Sequence, residues 1–99
     1  MGKIDFSTVE AEEYTIVRFH FEDIIEPEML HLIDPPKVEP TKGVIISGRG
    51  PIWLYCNLTH HYHPTRFVAT HDPRLGGAVV VQSHSKVHLV GTIIKGVNI

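Results

Sequence analysis

GVIISGRGPIWLYCNLTHH (Gly43–His61) decides the fold. Gly43 to Ser47 is a short, continuous apolar run, the pattern of a strand buried on both faces. It breaks at Gly48. After Pro51, residues Ile52, Trp53, Leu54, Tyr55 and Leu58 form an apolar stripe at helical spacing that Pro64 closes, which predicts a helix over Pro51 to His61. A buried strand, a glycine turn and a helix in that order predict an α/β domain: a mixed β-sheet with flanking helices.

Upstream, EYTIVRFHF (Glu13–Phe21) alternates Tyr14, Ile16, Arg18 and His20 with Thr15, Val17, Phe19 and Phe21, and reads as a strand. EPEMLHLI (Glu26–Ile33), opened by Pro27 and stopped by Pro35-Pro36, predicts a short helix. Asp34 to Lys42, with three prolines, reads as an extended connection. Downstream, Phe67 to Thr70 and Ala78 to Gln82 are two further strands around the turn-rich Asp72 to Gly77, and the apolar run Leu89 to Ile94 closes the sheet. No repeat or composition shift divides the chain, so residues 1–99 are expected to form one domain.

A chain of 99 residues, 42% hydrophobic, can build one modest core, and an oligomer is expected. The single Cys56 and the lack of an apolar leader favour a reducing cytoplasm. No apolar run approaches the roughly 20 residues that cross a bilayer, so no membrane partner is expected. A net charge of −2 argues against long DNA or RNA held through counterion release; a nucleotide ligand should be small.

Ser47-Gly48-Arg49-Gly50 lies at the carboxyl end of the buried strand and at the start of the helix, where anions bind. The glycines admit close backbone approach, Pro51 suits a first helical position, and Arg49 can fork onto a phosphate. The plainer reading is a tight turn with a solvated arginine. Five of the eight histidines (His60, His61, His63, His71, His84) fall in one later stretch, which also holds Asp72 and Arg74. Imidazole suits metal binding and proton transfer. The spacing fits no structural zinc; a histidine and carboxylate set with open positions better suits manganese or another borderline ion. Asp72 is equally a turn residue before proline, whereas His61 and His71 read more simply as surface or core histidines.

Strand lengths add a geometric expectation. His63 and Asp72 are nine residues apart, and if that stretch is mostly strand they lie about 25–30 Å apart. A hairpin around Asp72 to Gly77 returns His84 beside His63, while a right-handed crossover brings Asp72 and Arg74 to Arg49. The site then has two halves at opposite poles, and a complete one needs two subunits.

GVIISGRGPIWLYCNLTHHYH (Gly43–His63) and FVATHDPRLGGAVVVQSHS (Phe67–Ser85) resemble a CRISPR-associated family of small manganese-dependent ring nucleases. The resemblance implies a distantly Rossmann-like fold working as a dimer, with the ligand held between two dimers as a tetramer or a higher head-to-tail assembly. It implies cleavage of cyclic tetra-adenylate, the second messenger of type III CRISPR antiviral defence. By residue, the ligand-binding serine and arginine fall on Ser47 and Arg49, within the turn that includes Gly48 and Gly50. The catalytic histidine and aspartate fall on His63 and Asp72, with His60 and His61 as alternatives for the histidine, and Arg74 and His84 match further positions. His63, Asp72 and His84 become the candidate manganese ligands. Two other readings stand beside it: a manganese-dependent exonuclease or deadenylase on short RNA, and a protein that binds cyclic oligoadenylate without turnover.

Overall fold

The computed structural model describes residues 3–97. Six strands form one mixed sheet in chain order: β1 (Asp5–Glu10), β2 (Tyr14–His20), β3 (Gly43–Ser47), β4 (Phe67–Asp72), β5 (Gly77–Ser83) and β6 (Ile93–Lys95). The central trio β2, β3 and β4 is parallel, and the outer pairs are antiparallel. One α-helix, α1 (Ile52–His61), connects β3 to β4. The described residues thus form an α/β domain with a mixed sheet and a single α-helix.

Parallel neighbours need crossovers, and both crossovers pack on the same face. On that face Val17, Phe19, Val44, Ile46 and Val68 meet Leu54, Leu58 and Tyr62, together with Ile25 and Met29 from the β2–β3 connection. The Tyr62 hydroxyl donates to the Pro36 carbonyl at 2.7 Å and ties the two crossovers together. The opposite face gathers Ile16, Ile45, Phe67, Ala69, Ala78 and Val80. His88 stacks on Phe67 there, with ring centroids 4.4 Å apart. β3 contributes to both clusters, which is why its run is apolar without alternation. Gly43 has no side chain because a Cβ would strike the Phe67 ring.

Three expectations are corrected, and one element is added. Glu26–Ile33 is not an α-helix: only Pro27–His31 coils, as a 3-10 turn. Bracketed by Pro27 and Pro35, it buries Met29 and leaves Leu32 76% exposed, so one side of one turn is all the core can hold. Pro51 is not the first helical residue but the extended residue before it, with ψ 156°. The last strand is Ile93–Lys95, because Leu89 and Val90 are exposed and Gly91 turns at φ 92°. β1 gave no strand signal in the sequence and completes the sheet by pairing with β2.

Candidate functional site

The parallel pairing of β3 and β4 brings their carboxyl ends together. In open α/β sheets this is where ligands sit. Gly48, Arg49, Gly50, Ile52 and Tyr55 line one side of an open groove of about 650 Å³, and Thr70, His71, Asp72, Pro73 and Arg74 line the other. The Asp72 carboxylate accepts from the Arg74 amide at 3.0 Å and lies 3.5 Å from the Arg74 Nε, so it caps the 3-10 turn Pro73–Leu75 and steers the guanidinium. Arg49 and Arg74 are both exposed at the rim.

Phe19 on β2 shapes the glycine loop. A Cβ on Gly48 would lie 2.6 Å from the Phe19 carbonyl oxygen, and one on Gly50 would lie 2.7 Å from the Phe19 ring. Real side chains do not pack that close, so both glycines are required by the core whether or not a ligand is bound. From the helix side the Tyr55 hydroxyl donates to the Gly48 carbonyl at 2.6 Å, and its ring meets Phe19 edge-on. Burial pushes the Tyr55 phenol above its ordinary pKa, keeping it a donor. Ser47 does not line the groove. It is 4% exposed and shares the parity of Ile45, on the face away from α1.

The second group lies at the other end of β4. His63 follows Tyr62, the residue that caps α1, and His84 follows β5. Their rings meet at 67° with centroids 5.4 Å apart. The His63 carbonyl accepts from Gln82 Nε2 at 2.9 Å and lies 3.2 Å from His84 Nε2. Of the three clustered histidines, His63 is the one that meets His84. His61 packs against Tyr62, and His60 faces a separate groove lined by Tyr55, Cys56, Thr59, Thr70, Val81 and Gln82. Gln82 and His84 reach the helix side because of a bulge: Val68 pairs with Gln82 and Ala69 with Val80, leaving Val81 as an extra residue. Ala78 and Val80 face away from α1. Beyond the bulge the parity reverses, so Gln82 opposes Val68, a residue of the helix-side core.

The hairpin and the crossover therefore place the candidate residues at two poles, Arg49, Asp72 and Arg74 at one and His63 and His84 at the other. Only Phe67 to Asp72 of the intervening chain is strand, since residues 63–66 turn, so the separation along β4 is about 17 Å, shorter than the fully extended span. His63, Asp72 and His84 do not converge within one chain, and among the described residues no three His, Cys, Asp or Glu side chains gather at metal-binding distance. Tyr55 and Gln82 had no sequence signal as site residues: Tyr55 reads as part of the apolar stripe, and the bulge hides the facing of Gln82. No helix among the described residues is long and apolar enough to cross a membrane.

These features extend to known proteins. A protein of Aquifex aeolicus (strain VF5), described only as an uncharacterized protein, is 47% identical over 88 residues, covering 85% of this chain and 79% of that relative. The sequence profile of the CRISPR-associated protein family Cas_csx3 matches residues 18–95, which takes in the glycine loop, both poles, the end of β2 and all of β3 to β6. The chain belongs to the CRISPR-associated Cas_csx3 family.

Proposed function

We propose that this protein is a ring nuclease that hydrolyses a phosphodiester of cyclic tetra-adenylate in type III CRISPR defence, with manganese, in a site shared between subunits. The observation that carries the reading is the separation of an arginine-rimmed groove from a paired-histidine pole on opposite ends of one strand, in a chain of a CRISPR-associated family. A ring ligand gripped by the groove of one dimer is then cut by the histidine pole of another. Ile52, 82% exposed on the groove, and the exposed Leu75 in the adjoining turn suit a pole that meets another body.

At the groove, the backbone of Gly48 to Gly50 and the Arg49 guanidinium bind phosphate, with Ser47 supporting the loop from the sheet. Arg74, steered by Asp72, offsets charge that develops on the scissile phosphoryl group. At the other pole His63 moves a proton and His84 assists, with His60 on the approach. The donor chemistry fits a borderline ion once two chains meet: a hydrogen bond from His84 Nε2 to the His63 carbonyl leaves Nδ1 with its lone pair, and the Asp72 oxygen not engaged by Arg74 is available. Manganese, when bound, supplies Lewis-acid polarisation of the phosphoryl oxygen.

The test is incubation with labelled cyclic tetra-adenylate, with and without manganese, beside a poly(A)-tailed RNA at equal protein. Metal-dependent products from the ring, faster than from the tail, are expected. Binding without products would make the protein a sequestering one, and faster loss of the tail would make it a deadenylase; either overturns the reading.

A further inference from the structure

We infer that Gln82 is a positioning residue: by donating to the His63 carbonyl alongside His84, it fixes the His63–His84 imidazole pair, and the shared carbonyl holds His84 as its Nε2–H tautomer. The inference rests on the reading of His63 as the proton-transferring residue, but its geometric half stands without it.

His63 and His84 are both exposed, and each lies just beyond the end of its element; the His84 amide still donates to the Arg66 carbonyl at 2.9 Å, which fixes its backbone but not its ring. Exposed imidazoles in such positions would sample many rotamers. What holds the His84 ring is one peptide oxygen, and the His63 ring meets that of His84. A carbonyl has two acceptor sites, and here Gln82 Nε2 at 2.9 Å and His84 Nε2 at 3.2 Å occupy them. The His63 amide donates to the His60 carbonyl at 3.2 Å, so the peptide units on both sides of His63 are anchored. Because a carbonyl only accepts, the ring nitrogen of His84 that faces it carries the hydrogen. The other, Nδ1, then holds the lone pair that a base or a ligand needs. A donor bond to a backbone carbonyl is the usual way a protein sets the tautomer of a working histidine.

Gln82 is the second donor, and it is not interchangeable with its neighbours. Val81 has no polar atom and Ser83 pairs with Phe67 on the opposite face. The bulge at Val81 gives Gln82 the same facing as His84, two residues on, so that both reach one acceptor.

The test uses full-length protein and two variants, Gln82→Met, which keeps length without an N–H, and Gln82→Glu, which keeps shape and polarity but only accepts at neutral pH. The first measurement is nuclear magnetic resonance of the metal-free protein. Wild type should show the Nε2–H tautomer of His84 by ring nitrogen shifts and ring-to-ring contacts between His63 and His84; both variants should lose those contacts with the melting temperature within a few degrees of wild type. The second is cleavage of cyclic tetra-adenylate, where kcat should fall about 10- to 100-fold with KM unchanged, the size seen when the partner of a working histidine is removed. An Nδ1–H tautomer in wild type, or variants that keep both the ring contacts and kcat, overturn the inference. If wild type cleaves nothing, the proposed function fails, while the tautomer and ring contacts still decide the positioning role.

Discussion

Two inactive variants of this protein should restore each other. His63→Ala removes the proton-transferring group at one pole, and Asp72→Asn removes the carboxylate at the other. The poles are separated along β4 by about 17 Å, far beyond the reach of a histidine and an aspartate toward a common atom. If each working site forms at a head-to-tail junction, it takes His63 from one chain and Asp72 from the next. In an equal mixture, one junction in four pairs an intact His63 with an intact Asp72, so the mixture should recover about a quarter of the wild-type rate at the same total protein. Each variant alone should show almost none, and both should still bind the ring. The assay is cleavage of labelled cyclic tetra-adenylate in excess over protein, with the two variants purified separately and combined. A mixture no faster than its components would refute the shared site, as would full activity in either variant alone.

Three further outcomes follow from the packing. Gly50→Ala drives a methyl into the Phe19 ring and should cost about 1–3 kcal/mol of stability in urea unfolding, even without ligand. Tyr55→Phe deletes the bond to the Gly48 carbonyl and should cost about 0.5–1.5 kcal/mol, with weaker ring binding by calorimetry because the glycine loop loses its tie to α1. Burial raises the Tyr62 phenol above its ordinary pKa of 10.0, so the unfolded chain ionises first; the phenol's contribution to stability should be constant below pH 10 and fall above it, and Tyr62→Phe should reduce the alkaline fall, to which the buried Tyr55 also contributes.

The sequence is clearest where one physical demand acts alone. Gly43 to Ser47 must be apolar on both faces, and its strand bounds were legible to the residue. The hairpin was legible too, with its turn read one residue too long, as Asp72 to Gly77 where β5 already begins at Gly77, and so was the parallel crossover through α1, and from them the two poles. β1 was not, because only Phe6 among Asp5–Glu10 turns toward the core and the rest face water. The Glu26–Ile33 segment has helical composition, but its prolines leave room for one 3-10 turn. In the site, Arg49, Asp72 and Arg74 could be placed from spacing. Gln82 could not, since alternation counted from Ala78 puts it on the wrong face until the extra residue at Val81 is known. Ser47 reads as a ligand contact by position, yet the sheet buries it.

The glycine loop also bears on how this site can change. One aromatic ring and one carbonyl on a neighbouring strand forbid side chains at both Gly48 and Gly50, so two loop positions are governed by a single residue far from them in the chain. A smaller residue at position 19 would relieve the ring's hold on Gly50 and part of that on Gly48, and a polar side chain could then enter a surface now built of bare backbone. Phe19 therefore acts as the gatekeeper of the loop's evolution: new ligand preferences at the groove have to begin inside the core.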